Sequence, residues 1–450
     1  MTGRYFRRSL LANMHIKNFI LLTTCVFITQ LSFSQQTIPI SKSALLQRLS
    51  DRNLQLLIAE KSIVAAKADY QQSNAIYLPN VTLSHTGITT TNPLMAFGSK
   101  LNQAILTQDD FNPNLLNNPE RTNNYTTVLE VQQPLLNMDG WYARKAGKAK
   151  MEAVQLQSAR TKEYLEFELS KAYMQLQLAY KAVTVLEKAD STGKANLKLV
   201  ENYYQQGLVQ KTDLLNVQVH VNDITNQLFH AKSNVQNASD YLAFLINEDT
   251  QGKTYQPTEN LEQQTEKPHS NTTLSIDRKD IQAMNKAKDA YQNMYKSTQM
   301  SLLPRFNAFG NYQLYDKEML GMKANGYLVG AQLSWNVFDG YKTYGKINKA
   351  KADFEKANIE TEQYEKQSQL ELNIATRQLN DAVKKRSLSQ LAYEQSQESY
   401  RILQNRFTQG LEKTTDLLHA ETLMLQKELE QLQAVFEFNT SLEYVQYLTK

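Results

Sequence analysis

Two short segments of the chain combine a helix-ending glycine with an acidic residue at the same spacing. Residues 207–215 read Gly-Leu-Val-Gln-Lys-Thr-Asp-Leu-Leu, and residues 410–418 read Gly-Leu-Glu-Lys-Thr-Thr-Asp-Leu-Leu. Glycine supplies the backbone freedom that ends one helix, and the threonine before each aspartate is able to cap the next. Asp213 and Asp416 then lie in a first turn, where a carboxylate favours the helix dipole. His419 lies one turn after Asp416, and an ordinary helix-surface histidine is its simplest interpretation.

Other chemistry-bearing patterns are absent from the sequence. No two histidines have the helical spacing of metal ligands, and the chain has neither a Gly-x-x-x-x-Gly-Lys loop nor a Gly-x-Ser-x-Gly elbow. Cys25 is the only cysteine. We therefore expect no enzyme, no metal site and no cofactor.

Composition excludes several classes of protein. The chain has 450 residues, of which 41% are hydrophobic and 21% charged, so a large core is possible. A mean hydropathy of −0.52 argues against a bundle of transmembrane helices. Residues 1–34 contain four basic residues and no acid, which leaves 45 basic and 45 acidic residues in the rest. A nucleic-acid partner is not expected from that balance.

The N-terminal segment is predicted to be an export signal. An apolar stretch over 19–33 follows the basic residues and ends in Ser32-Phe33-Ser34. We expect residues 1–34 to be removed, with translation starting at Met1 or Met14. The mature chain would then contain no cysteine.

Long helices are predicted where proline is absent. No proline occurs between 135 and 256 or after 304. Leu165, Leu169, Ala172, Leu176, Ala179, Val183 and Leu186 alternate spacings of four and three, and Leu372, Ala375, Leu379 and Ala382 repeat the pattern, as in coiled coils. The helices are expected over 141–206 and 341–409, with return helices over 212–247 and 414–449.

The two halves of the chain resemble each other, which predicts an internal duplication. Asp-Gly at 139–140 recurs at 339–340, and the Gly-Leu segments recur at an offset of 203. We expect a first repeat over 35–247, a linker over 248–272 and a second repeat over 273–450.

Each repeat also contains a segment with a period of two. Hairpins of barrel-length strands are predicted over 79–135 and 304–338. In the second, apolar Val329, Ala331, Leu333 and Val337 alternate with small or polar residues, which predicts a lipid-facing side. Trp141, Trp335 and Tyr341 flank the Asp-Gly boundaries, where a membrane interface favours aromatics. A soluble hairpin packed on helices is the alternative.

Four strands cannot close a barrel, and an open sheet exposes unpaired amides to lipid. Several copies must therefore share their strands. Three copies would contribute twelve strands, but the sequence does not choose three over two or four.

After the signal, the order of helix, hairpin, long helix, Gly-Leu turn and return helix occurs twice. This organisation resembles the TolC-like outer-membrane efflux proteins. Residues 92–102 and 110–113 look like the long surface loop of Bacteroidetes-type members. The resemblance implies an α+β membrane protein, in which a homotrimer shares a twelve-stranded barrel in outer-membrane lipid above a coiled-coil tunnel in the periplasm. A periplasmic adaptor and an inner-membrane pump are the implied partners.

The resemblance also assigns roles to the two turns. Gly207, Leu208, Gly410 and Leu411 would form the tip that contacts the adaptor. Asp213 and Asp416 would lie near the closed periplasmic entrance, where three copies form a ring of carboxylates. His419 stands where the family more commonly has a second acid, which argues against a doubly acidic constriction and allows a pH-sensitive one, because histidine side chains change charge near neutral pH. Residues 248–272 would form the linker at the equator of the tunnel.

Two functions follow from these patterns. The first is a passive export duct of a tripartite efflux or secretion system. The second is a periplasmic coiled-coil structural or interaction protein whose hairpins are soluble. The exported substrate is not encoded in any pattern of the sequence, because the pump selects the cargo in such systems.

Overall fold

A computed structural model describes residues 37–261 and 273–450 of the chain. The predicted export signal over 1–34 and the end of the predicted linker over 248–272 lie outside the described residues. The helices of the described part are α1 (Lys42–Arg52), α2 (Leu54–Gln72), α3 (Pro93–Asn102), α4 (Pro113–Asn117), α5 (Met138–Gln205), α6 (Lys211–Leu245), α7 (Lys279–Met300), α8 (Lys342–Thr408) and α9 (Thr414–Thr449). The strands are β1 (Thr37–Ile40), β2 (Asn80–Thr90), β3 (Thr122–Leu136), β4 (Thr254–Pro257), β5 (Arg305–Asp316) and β6 (Ala324–Ser334).

Two helices dominate the chain. α5 has 68 residues and α8 has 67, and neither contains a proline. The sequence predicts these helices over 141–206 and 341–409, and their observed bounds differ by at most three residues at either end. None of the helices over 37–261 and 273–450 is apolar over a length sufficient to cross a membrane.

The chain forms two compact units. Of the described residues, the first comprises 37–56, 162–261 and 372–449, and the second comprises 57–161 and 273–371. The first unit is mainly helical, and the second contains the four longer strands. α5 and α8 each contribute residues to both units.

The core of the first unit contains the residues of the predicted heptad pattern. Leu169 and Leu176 of α5 are fully buried in one cluster with Leu242 of α6. Leu372 and Leu379 of α8 are buried in a second cluster with residues of α9. The residues at these spacings are therefore buried between helices, and removing their apolar side chains from water stabilises the unit.

A small parallel sheet completes the first unit. β1 pairs with β4, so that Ile38 lies opposite Tyr255. Tyr255 is fully buried, and its backbone N–H donates to Ser239 Oγ at 2.8 Å. The sequence analysis did not predict these strands, because two four-residue segments more than 200 positions apart have no periodicity to detect.

The second unit joins both predicted hairpins into one antiparallel sheet. Its strand order is β2-β3-β5-β6, with β3 paired to β5 from Tyr125–Asp316 to Leu136–Phe306. A shift of register occurs between Pro134 and Leu136, where proline lacks the N–H that a ladder needs.

The structure places one of the predicted strand residues outside the strand. β6 ends at Ser334, so Val337 lies beyond it and the prediction that Val337 belongs to the apolar row of this strand is wrong. The apolar alternation continues in the sequence past this point. The following Asp-Gly segment nevertheless starts α8, because Asp339 accepts hydrogen bonds from the Thr343 N–H at 3.1 Å and its hydroxyl at 2.6 Å.

Candidate functional site

The register gives the four-stranded sheet two chemically different faces. Side chains of directly paired residues share a face, and neighbours along a strand alternate. Two rows of the apolar face cross all four strands: Val81, Val131, Gly310 and Val329, and then Leu83, Leu129, Tyr312 and Tyr327. The predicted Val329, Ala331 and Leu333 all lie on this face, and the exposed fractions of Val329 and Leu333 are 73% and 67%.

The opposite face is mainly polar. One row contains Thr82, Glu130 and Asn311, with Leu328 as its apolar member. Gln132 Nε2 donates to Glu130 Oε1 at 2.7 Å along β3. A sheet with an apolar and a polar face suits a boundary between lipid and water.

Aromatic residues lie at the helix-proximal end of this sheet. Trp141 packs on Tyr77 with 6.1 Å between ring centroids. The Trp335 indole N–H donates to the Leu302 carbonyl at 2.9 Å. Tyr341 packs edge-to-face against Phe338. Because these residues adjoin the start of β2 or β5 or the end of β3 or β6, they share one end of the antiparallel sheet.

Both edges of the sheet are long. β2 and β6 have eleven residues each and pair on one side only within the described residues. Unpaired N–H and C=O groups along such edges favour pairing with another strand.

The two Gly-Leu turns have the same backbone structure. The Gly207 N–H donates to the Tyr204 carbonyl and the Leu208 N–H to the Tyr203 carbonyl, at 3.0 and 2.9 Å. Gly410 and Leu411 repeat this pattern at 2.9 Å each. The φ angles of Gly207 and Gly410 are +75° and +72°, so each helix ends in a Schellman motif that requires left-handed backbone.

The two return helices begin close to the predicted residues 212 and 414, since α6 starts at Lys211 and α9 at Thr414. The cap of α6 differs from the prediction: Gln210 precedes the helix, and its backbone N–H donates to Asp213 Oδ2 at 3.0 Å in a capping box. Thr212 and Thr415 lie inside α6 and α9 and are therefore not the caps. Asp213 therefore has a structural role at the first turn.

Asp416 and His419 are both exposed on α9. Both aspartates lie in the first turn of their helices, as the sequence predicted. In the turn that precedes α9, Arg406 forms an ion pair with Glu412, with 3.0 Å between Arg406 Nε and Glu412 Oε2.

The two turns pack together. Val200 and Val217 of the first helix pair share one buried cluster with Phe407 and Leu417 of the second. Leu208 and Leu411 remain exposed, with exposed fractions of 66% and 62%. The structure thus brings all four predicted tip residues to one end of the helical unit.

A buried polar cluster lies among the four helices near these turns. Glu421 of α9 has an exposed fraction of 2%, and its Oε2 accepts a hydrogen bond from Asn196 Nδ2 at 3.2 Å. His220 Nε2 lies 3.6 Å from the same oxygen. Burial, together with the charge of Glu421, raises the pKa of Tyr400. Sequence reasoning missed this cluster, because each residue comes from a different helix.

A second buried cluster holds three helices of the other unit. Asp280 of α7 accepts from Arg278 Nε at 3.0 Å and from the Tyr364 hydroxyl at 2.8 Å, and Arg160 Nε lies 3.5 Å away. Burial opposes ionisation of Asp280, but the hydrogen bonds and the arginine charges outweigh it and lower its pKa. Burial, followed by the bond to Asp280, raises the pKa of Tyr364 to about 12. These contacts connect α5, α7 and α8 within the second unit.

No group of three or more histidine, cysteine, aspartate or glutamate side chains is arranged to hold a metal ion in the described parts of the chain.

Comparison with known proteins identifies the family. The family described as outer membrane efflux protein matches residues 45–248 and 273–444, which is most of the chain. The protein belongs to this family, as its resemblance to TolC-like proteins predicted. No curated protein matches the sequence significantly.

Solved structures of outer-membrane channels share the fold. The Campylobacter jejuni CmeC outer membrane channel is 16% identical, with a TM-score of 0.78 over 91% of this chain and 85% of its own. The Vibrio cholerae outer membrane protein VceC is 15% identical, with a TM-score of 0.76 over 91% and 96%. The open state of the Neisseria gonorrhoeae MtrE outer membrane channel is 16% identical, with a TM-score of 0.74 over 90% and 88%.

Proposed function

We propose that the protein is the outer-membrane channel of a tripartite efflux or secretion system and acts as a passive export duct from periplasm to exterior. Membership of the outer membrane efflux protein family supports this function. The two-faced sheet carries the argument, because its apolar face suits lipid and its polar face suits an aqueous lumen. The repeated turns and hairpins support an origin by internal duplication.

We infer a homotrimer in which each chain contributes four strands. The edge strands β2 and β6 run in opposite directions, so β6 of one copy is able to pair with β2 of the next without breaking the antiparallel order. Three copies would close a twelve-stranded barrel and leave no free edge in the membrane. Trp141, Trp335 and Tyr341 would lie at its periplasmic interface.

The turns form the periplasmic tip in this proposal. Leu208 and Leu411 are the exposed apolar residues that a periplasmic adaptor would contact, and Gly207 and Gly410 fix the backbone that presents them. The adaptor would connect the channel to an inner-membrane pump, which supplies the energy and selects the substrate.

Asp416 is the principal gate acid in this proposal. It is exposed, whereas Asp213 has the same charge but also caps α6. Three copies of Asp416 would surround the axis and attract cations. In this proposal His419, which lies one turn after Asp416 and is also exposed, faces the same entrance.

The first test is the native mass of the protein extracted in detergent from isolated outer membranes. Three chains in one complex would support the shared barrel. A monomer or dimer recovered from the soluble periplasm would contradict the proposal and favour a coiled-coil scaffold with soluble hairpins. As a control, the native mass is measured again after mild proteolysis at the exposed turns. An unchanged number of chains would show that the helical tips alone do not hold the complex together.

A further inference from the structure

The loop between β2 and β3, residues 91–121, has a compact structure of its own. Asn92 caps α3, since its Oδ1 accepts from the Met95 N–H at 3.2 Å, and Asn112 caps α4 in the same way. Phe97 packs edge-to-face on Phe111 with 5.7 Å between ring centroids. The loop is therefore a folded element and not a flexible connection.

An ion pair closes this loop. Lys100 Nζ lies 2.7 Å from Asp110 Oδ1, and the Thr107 N–H donates to Asp110 Oδ2 at 2.8 Å. The hydrogen bond from Lys100, followed by those from Thr107, lowers the pKa of Asp110 to about 2. The lowered pKa stabilises the loop above the ordinary pKa of aspartate, and this stabilisation is lost only as the pH falls towards 2.

The loop folds back over one particular face of the sheet. α3 buries Ala96, Ser99 and Gln103, which lie on one side of the helix. Gln103 Nε2 donates to Asn124 Oδ1 at 2.8 Å, and Asn124 Nδ2 donates to Thr126 Oγ1 at 3.0 Å. The anchor of the loop is thus a chain of hydrogen bonds along β3.

The register identifies the covered face as the polar one. Thr122 and Asn124 of β3 and Ala324 of β6 are buried, and their side chains alternate with the apolar rows. α3 contacts both β3 and β6, although β5 lies between these strands. The helix therefore crosses the sheet on its polar side, at the end opposite Trp141 and Trp335.

We propose that residues 91–121 form a lid over the external mouth of the channel and set the size of solute that passes through it. This inference rests on the proposed function, because the polar face covers a lumen only if the sheet belongs to a barrel. Gln103 is the positioning residue that holds the lid inward. A folded lid narrows the exit independently of the gate at the periplasmic tip.

Cysteine labelling from outside intact cells tests the lid. The only native cysteine, Cys25, lies in the predicted export signal, so an introduced cysteine is the sole target. Ser84→Cys places the thiol on the polar face, and Leu83→Cys, one residue earlier, places it on the apolar face as a matched control. Each variant is treated with a small charged maleimide and with a maleimide coupled to a bulky polymer.

Removal of the lid should change the labelling by the bulky reagent. With residues 91–121 replaced by an Asn-Gly turn, we expect the bulky reagent to label Ser84→Cys faster by on the order of tenfold. Gln103→Ala keeps the whole loop and should give a smaller increase in the rate at which the bulky reagent labels Ser84→Cys. This variant still tests the lid if the shortened hairpin fails to assemble. Labelling of Ser84→Cys by the bulky reagent at the same rate with and without the loop would overturn the lid.

The control separates this inference from the proposed function. If the sheet lies in a membrane barrel, Leu83→Cys should resist both reagents, whether or not the loop is present. Equal labelling of Leu83→Cys and Ser84→Cys by the small reagent would show that both faces meet water, and the barrel itself would then be wrong.

Discussion

The helical unit and the four-stranded sheet bury their apolar residues in opposite ways. Leu169 and Leu176 have exposed fractions of 0% within a single chain, whereas Val329 and Leu333 of the sheet have 73% and 67%. A helix satisfies its own backbone hydrogen bonds and packs against a neighbour on the same chain. A sheet with free edges and an apolar outer face needs further strands and lipid to complete it. One chain therefore completes the core of its helical unit, whereas its four-stranded sheet keeps an exposed apolar face and two long edges, which is the basis of the proposed shared barrel.

The largest expected effect concerns the outer face of the sheet. Val329→Arg should abolish assembly in the outer membrane, because Val329 lies midway along β6 and an arginine facing lipid near the bilayer centre costs roughly 2–4 kcal/mol in each chain. Outer-membrane fractionation followed by native mass measurement tests this expectation. Gln332→Arg, on the polar face of the same strand, is the matched control and should assemble normally. Equal tolerance of both substitutions would remove the distinction between the two faces.

A proline in the second turn should damage the tip while sparing the sheet. Gly410 has a φ of +72°, which the proline ring cannot adopt, so Gly410→Pro should disrupt the turn at a cost of about 3 kcal/mol or more. We expect the variant to reach the outer membrane but to lose export of pump substrates. Gly410→Asn is the control, because asparagine tolerates left-handed backbone and no other atom lies near the position. Normal export by the proline variant would refute the assignment of this turn to the tip.

The buried polar cluster around Glu421 should contribute to the stability of the helical unit. Glu421→Ala removes the acceptor of Asn196 and leaves its amide buried, which should lower the stability of the helical unit by about 1–3 kcal/mol. Thermal unfolding followed by circular dichroism of the detergent-solubilised protein measures the change. Glu421→Gln keeps a carbonyl acceptor of the same shape and should shift the midpoint less. A larger effect of glutamine than of alanine would contradict this account.

The smallest effects should distinguish the two aspartates. Asp213→Ala removes a capping hydrogen bond and should destabilise the turn by about 1 kcal/mol, whereas Asp416→Ala should cost only a few tenths. In planar bilayers the order should reverse, with Asp416→Ala reducing cation selectivity more than Asp213→Ala does. Asp213→Asn and Asp416→Asn serve as neutral variants of similar size. Identical behaviour of the two positions in both measurements would argue against separate roles.

Much of the fold could be predicted from local patterns. The heptad spacing of Leu165–Leu186, the alternation around Val329 and the glycines at 207 and 410 each determine a structure through contacts a few residues apart. The helices α3 and α4 were also detectable, since Asn92-Pro93 and Asn112-Pro113 combine a capping residue with proline at the first helical position. The resemblance predicts only a surface loop for residues 92–102 and 110–113, so neither helix was predicted.

Other features were not predicted, either because two local signals compete at one position or because the contacts join residues far apart in the chain. Gln210 rather than Thr212 precedes α6, because the helix start depends on where the turn before it ends. Val337 continues an apolar alternation but lies outside β6. Two residues later Asp339 accepts a hydrogen bond from the Thr343 N–H, and the chain there begins α8 instead of extending the strand. Asn196, His220, Tyr400 and Glu421 converge from four helices, and no spacing in the sequence links them.

The sequence by itself determined the long helices, the two turns, the alternating strands and the family, because each depends on residue types at short, fixed spacings. Only the tertiary structure decided that β3 pairs with β5, that the two turns share one cluster and that residues 91–121 fold over the polar face. Those outcomes require contacts between residues far apart in the chain. Such contacts depend on the packing of whole elements, which local preferences of the backbone do not specify.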